Sequence, residues 1–347
     1  MKKIIFIPTL LFLLSFYSTA PIFAENHPKE TAKKEAYNPT PAILHHISDS
    51  HEWHLWGEGE NSMTISLPVI LYTEGSLDIF MSSAFNHGHS DVVKGDRVYQ
   101  IDSHSHIHEK NGKQVIDISI SKNVASMLMS VLLLFFLLKT ASSGYRKNKL
   151  APKGVQAFLE PVILFVRDDI IKANIGPKYK KYTTFLLTVF FFILINNLTG
   201  MLPGSANVTG NISVTLVLSV FTFLIIIFSA NKNYWLHIVK PPGTPLALLP
   251  IMIPIEIFGI FTKPFALMIR LFANITAGHI IILSLVSLIF VASNNGENVG
   301  AGWAVAPISV LFVLFISLIE LLVAFLQAYI FTLLSAVFIG LAVKEDH

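Results

Sequence analysis

The sequence predicts an all-α polytopic membrane protein: five membrane crossings, two of them by long, steeply tilted helices, one amphipathic surface helix, and a small β-rich region on the outer side near the N-terminus. Three observations carry this. Of 347 residues, 53% are hydrophobic and only 14% charged, against about 25% charged in soluble domains. Five apolar runs follow one another from residue 122, and the loops between them are alternately basic and free of Lys and Arg. A polar stretch with the alternation and turn residues of short strands precedes them. The net charge of +3 is small and dispersed, so there is no nucleic-acid footprint. The absence of cysteine excludes disulfides, thiol catalysis and Cys-ligated metals.

Residues 1–24 read as a signal peptide: Met1-Lys2-Lys3, a short apolar core, and Ala20 and Ala24 as small residues for cleavage. An apolar core of about 13 residues is too short to span a bilayer. Residues 25–121 would therefore stand outside the cytoplasm. Short strands are expected from Ile65 to Tyr72 and from Leu77 to Phe80, broken at Glu74-Gly75. Further strands are expected from Val98 to His108 and from Gln114 to Ile120, joined as a hairpin at Asn111-Gly112. Ten of the thirteen histidines lie between His27 and His108. His104, His106 and His108 would share one strand face, with Asp117 opposite His106. Such a set would suit a transition metal, but nothing dictates a closed ligand set. The favoured reading is a solvated polar face, with no metal assigned.

The membrane domain is expected over 122–347, with spans at about 122–140, 183–201, 212–230, 249–292 and 304–343. Lys139, Arg146, Lys147, Lys149 and Lys153 follow the first span, and short basic loops stay inside, so this span runs inward. From 154 to 175 apolar residues recur at helical spacing between Glu160, Arg167, Asp168 and Lys172, the pattern of an amphipathic helix on the inner surface. The second and third spans form a hairpin, and Pro241-Pro242-Gly243 marks an inner turn. The next run, 249–292, would be about 66 Å long as a helix against a hydrocarbon core of about 30 Å. Lys232 and Lys240 precede it and a loop without Lys or Arg follows, so its ends lie on opposite faces. One helix tilted by roughly 60° satisfies both length and parity. The run 304–343 repeats the arithmetic and returns the C-terminus to the cytoplasm.

Arg270 lies near the middle of the first long run. A guanidinium at bilayer depth costs from roughly 3 to more than 10 kcal/mol, so it persists there only with a task or a partner. Glu256, Lys263 and Arg270 are spaced by seven and share a helix face, which Asn274 joins four residues on. Lys263 reads as an interfacial charge. His279, nine residues beyond Arg270, points about 180° away. On the last helix Glu320 and Gln327 share a face.

The wording around these residues is specific. Pro264-x-x-Leu-x-x-Arg270-Leu-Phe-x-Asn274-x-x-Ala-Gly278-His279, preceded by Pro254-Ile-Glu256 and followed later by Leu326-Gln327-Ala-Tyr-Ile-Phe331, resembles subunit a of F-type ATP synthases. Pro241-Pro-Gly-Thr-Pro245 and Asn196-Asn-Leu-x-Gly-x-Leu-Pro203 fit as well, and the resemblance covers about residues 122 to 343. It implies a non-catalytic stator subunit that forms two proton half-channels against a ring of c subunits and couples proton flow to rotation and ATP synthesis. It also implies a bacterial inner-membrane location, a subunit b peripheral stalk and the remaining synthase subunits as partners, and no cofactor. By the same resemblance Arg270 faces the rotor carboxylate. His279 and Glu320 line the outer half-channel, Glu256 the inner one, and Asn274 and Gln327 the path around Arg270. Many family members carry Glu where this chain has His279 and His where it has Glu320, so the pair is exchanged here. No Gly-x-x-x-x-Gly-Lys-Ser/Thr occurs, so nucleotide chemistry would lie in other subunits. The alternatives are a self-contained secondary transporter, which predicts internal repeats, and a metal-handling membrane protein that works through the histidines.

Overall fold

The computed structural model describes residues 37–56, 63–86, 88, 90–102, 105–147, 154–202, 204–240, 245 and 248–344. The leader expected over 1–24, together with His27, His87, His89, His104, Lys149, Lys153 and the turn Pro241-Pro242-Gly243, lies outside them.

A short helix α1 (Thr40–Ile47) leads into eight strands: β1 (Glu52–Trp56), β2 (Met63–Ser66), β3 (Pro68–Thr73), β4 (Ser76–Met81), β5 (Val92–Lys94), β6 (Arg97–Ile101), β7 (Ile107–Glu109) and β8 (Val115–Asp117). They form three antiparallel sheets, ordered β1-β2, β4-β3-β8 and β5-β6-β7. Val69, Leu71, Phe80, Phe85, Val92, Tyr99 and Ile107 make the core between the two larger sheets. Arg97 on β6 reaches Asp78 on β4 at 3.0 Å, and the Tyr99 hydroxyl donates to the same carboxylate at 2.7 Å, tying those sheets together. At the β3–β4 turn, Glu74 and Gly75 have φ of 48° and 84°, the left-handed pair that a two-residue hairpin demands.

Three strand expectations are corrected. The run from Ile65 to Tyr72 breaks at Leu67-Pro68, so Ile65 pairs with Trp53 while Val69 to Thr73 pair with β4. Asn111-Gly112 makes a turn but no hairpin: β8 pairs with β3, and Asp117 stands opposite Leu71, not His106. The cause is the buried carboxylate of Glu109. It accepts the backbone N–H groups of Asn111 and Lys113 at 3.0 and 3.1 Å and so turns the chain from one sheet to the next. The segment from Val98 to His108 is likewise two strands, and His106 and His108 remain ring neighbours at 6.5 Å.

Asp117 instead meets His51 Nε2 at 2.8 Å. Burial opposes its charge, but hydrogen bonds from His51 and from the Ser119 side chain and N–H outweigh this, and its pKa is lowered. A lowered carboxyl stabilises the fold above its unfolded pKa of about 3.9, and that contribution is lost as pH falls through the folded value. Asp117→Asn should therefore cost about 1 kcal/mol at pH 7 and flatten the acid dependence. Proteolytic nicking of the β region in isolated membranes, followed from pH 7 to 3, checks this.

Among the described residues five stretches are helical, long and apolar enough to cross a membrane: Lys122–Gly144, Val155–Gly200, Ile212–Ser229, Leu249–Ala292 and Val299–Val343. The helices are α2 (Lys122–Lys147), α3 (Val155–Phe165), α4 (Tyr179–Gly200), α5 (Ile212–Ser229), α6 (Lys232–Val239), α7 (Leu249–Ala292) and α8 (Val299–Val343). The amphipathic segment continues past α3 as a π-helical stretch, Val166–Lys172, with Val166, Ile170 and Ile171 buried. It presents Phe158 outward at 75% exposed and packs its other side on α8, where Gly340 leaves no room for a Cβ beside the Asn174 carbonyl. Helix α7 is unbroken over 44 residues through Pro254 and Pro264, which rules out a hairpin. Helix α8 runs 45 residues and begins five residues before the expected 304, because Asn298 caps it, its side chain accepting from Ala301 N at 3.2 Å.

Candidate functional site

Helix α8 packs against α7 and α4, and α5 packs on α7. Without a hydrophobic drive between helices in lipid, small residues and polar ties must hold such a bundle. Ala324, Ala328, Ser335, Ala336 and Ala342 are among the fully buried small residues of α8. Asn197 on α4 donates to the Ala324 carbonyl at 3.1 Å and accepts from Thr209 at 2.7 Å. Ser130 on α2 donates to Asn196 at 2.9 Å.

Between α7 and α8 runs a groove of about 850 Å³. Arg270, Asn274, Glu320 and Gln327 line it among apolar side chains such as Phe265, Ile269, Ile319 and Leu326. Among the described residues no side chain pairs with or hydrogen-bonds the Arg270 guanidinium. Gln327, 3% exposed, lines the same groove from α8.

His279 lies behind this groove, as its half-turn offset from Arg270 requires. Its Nδ1 is 3.0 Å from Glu320 Oε1 and its Nε2 is 3.0 Å from the Gly200 carbonyl at the end of α4. A carbonyl only accepts, so Nε2 carries a hydrogen. The contact between Nδ1 and Oε1 then holds one shared proton, either on an imidazolium facing a carboxylate or on a carboxylic acid facing an imidazole. Glu320 is 5% exposed, and its other face borders the groove. The pair thus links the end of α4 to the groove through two ionisable groups.

Gly278 makes the room for it. A Cβ there would stand 2.9 Å from Glu320 Oε1 and 3.2 Å from its Cδ. Gly278→Ala must push the carboxylate off His279 and should lower proton translocation about tenfold, since small misplacements at a reacting centre are costly. ATP-driven acidification of inverted vesicles is the measurement.

Glu256 is not brought into this group. It lies about 21 Å along α7 from Arg270, beside α6, where burial and then its charge raise the pKa of Tyr234. Lys263 sits with Nζ 5.3 Å over the Phe338 ring on α8. Sequence reasoning assigned no role to Gly200, Gly278 or Asn197, although all three stand within the wording quoted from the sequence.

Fold and site together define a polytopic membrane protein with ionisable groups set between two long helices. The chain belongs to the ATP synthase A chain family, whose model matches residues 124–340. It is 48% identical over 239 residues to the "ATP synthase subunit a" of Chloroherpeton thalassium, covering 67% of this chain and 69% of the relative. It is 41% identical over 307 residues to "ATP synthase subunit a 2" of Chlorobium luteolum, covering 83% of this chain and 87% of the relative. A second family model, a domain of unknown function, matches residues 42–127.

Proposed function

We propose that this chain is the non-catalytic stator subunit that carries protons through the membrane sector of an F-type ATP synthase. The single observation that carries this reading is the His279–Glu320 pair, one shared proton wide, opening onto the groove where Arg270 stands without a partner among the described residues. The groove between α7 and α8 is the seat for the c-ring, whose helices would bring their carboxylates past Arg270. Such a carboxylate holds its proton in lipid by desolvation and releases it beside the guanidinium. Each charge moved through 100 mV supplies about 2.3 kcal/mol for rotation. Protons from the outer side pass His279 and Glu320. On the other side of Arg270 they leave toward Glu256, with Asn274 and Gln327 lining the passage. Residues 1–24 act as a cleaved leader, residues 25–121 stand outside the inner membrane, and residues 122–347 form the membrane domain with its C-terminus in the cytoplasm.

Purification from gently solubilised membranes tests the assignment. The chain should come out with the c-ring, the b stalk and the catalytic head. A chain that purifies alone and transports ions by itself in liposomes would make it a self-contained transporter instead.

A further inference from the structure

The extracytoplasmic β region is anchored to the membrane helices at more than one point. Asp49 accepts from Asn123 N at 3.0 Å and from Ser121 Oγ at 2.8 Å, in the manner of a cap for α2. The Lys122 ammonium donates to the carbonyls of His46 and Ser48 at 3.1 and 2.9 Å. A further anchor has a different target. The Trp53 indole N–H on β1, a residue 8% exposed, donates to the Gly204 carbonyl at 2.7 Å in the loop between α4 and α5. The Leu55 carbonyl closes on the same glycine, 2.7 Å from where a Cβ would stand, and Gly204 has φ of +75°, so no other residue fits without strain. One residue on, the Ser205 hydroxyl shares its single hydrogen between the Leu202 carbonyl at 2.7 Å and the Gly200 carbonyl at 2.9 Å, the latter being the oxygen that also accepts from His279 Nε2 at 3.0 Å. Leu202 N–H donates to the Thr199 carbonyl and Ser205 N–H to the Leu202 carbonyl, at 3.1 and 3.0 Å.

We propose that Trp53 is a positioning residue for proton transfer: through the Gly200–Ser205 loop, the outer β region holds the carbonyl that fixes the tautomer and orientation of His279. The inference rests on the reading of His279 and Glu320 as a proton relay. With the loop held, Nε2 keeps its hydrogen on Gly200 and Nδ1 always faces Glu320. With the loop released, the ring is free to exchange tautomers or rotate, and the shared proton is lost for part of the time. The outer region then serves the rate and pH dependence of translocation as well as assembly.

Trp53→Phe keeps an aromatic ring on β1 and removes the indole N–H together with part of the side chain's bulk. Ser205→Ala removes only the loop hydroxyl and is the second variant should Trp53→Phe fail to assemble. Both are assayed as ATP-driven proton pumping in inverted vesicles from pH 6 to 9, normalised to the amount of assembled complex, beside a His279→Leu/Glu320→Leu double variant. Expected are a rate per complex about three- to tenfold lower and a pH profile displaced by about half a unit or more, the weight of one hydrogen bond. A lower amount of complex with wild-type rate and profile per complex would overturn the proposal and leave the outer region a purely structural part. If the double variant does not pump while Trp53→Phe and Ser205→Ala behave as wild type, only this proposal falls. If the double variant pumps normally, the relay itself is wrong and this proposal goes with it.

Discussion

Replacing Arg270 by Ala should abolish proton-driven ATP synthesis in sealed vesicles while the complex still assembles. Arg270 contributes no ion pair or hydrogen bond to the fold among the described residues, so its removal leaves the α7–α8 packing intact. What is lost is, among the described residues, the only fixed positive charge in the groove lining. In the proposed mechanism a rotor carboxylate would then have no reason to give up its proton there, and nothing would separate the two proposed half-channels. Synthesis should fall to background, and a passive leak should open. Arg270→Lys should also lose most activity. An ammonium is a compact, strongly hydrated charge and does not reproduce a planar fork of donors. Wild-type synthesis rates in either variant would remove Arg270 from the mechanism.

The second large effect concerns the exchanged pair. His279→Glu places two carboxylates at the 3.0 Å contact, and Glu320→His places two imidazoles there. In each case the single shared proton between an acid and a base is lost, and each variant should pump at least about tenfold more slowly. The double exchange restores one acid and one imidazole and should recover part of the rate, a coupling of the kind expected for residues in direct contact. Recovery should be incomplete. In the double exchange the group facing the Gly200 carbonyl is a carboxyl, which donates there only when protonated. A double variant no faster than the slower single one would contradict the pairing.

The large features of this fold were legible because they follow from length and charge alone. Forty-four apolar residues between a basic loop and a loop without Lys or Arg leave little but one long helix, and α7 is that helix. Helical geometry also separated His279 from the Arg270 face, and the groove lies on the Arg270 side alone. Legibility ended where backbone atoms became partners. The Gly200 carbonyl that orients His279 has no side chain to announce it, and neither has the Leu55 carbonyl that presses on Gly204. Asn111-Gly112 was read correctly as a turn and wrongly as a hairpin, since the competing acceptor was the Glu109 carboxylate, two residues away and indistinct in the sequence. The hairpin at Gly95 joins β5, a strand of only three residues, and α6 has eight. Elements that short carry too few residues to display a period. Glu256 shares a helical face with Arg270, but a seven-residue repeat says nothing about which neighbour lies beside each repeat, and α6 rather than α8 carries the tyrosine its charge acts on.

Passive proton conduction through the membrane sector tests the central claim most directly. Stripping the catalytic head from inverted vesicles removes ATP chemistry and leaves only the path through this chain and the rotor. An imposed potential should then acidify or alkalinise wild-type vesicles rapidly. Vesicles carrying His279→Leu and Glu320→Leu together, with equal amounts of assembled membrane sector, should stay at the background of protein-free lipid. Equal conduction by the two preparations would contradict the account, because protons would then be crossing by a route that does not include the His279–Glu320 pair.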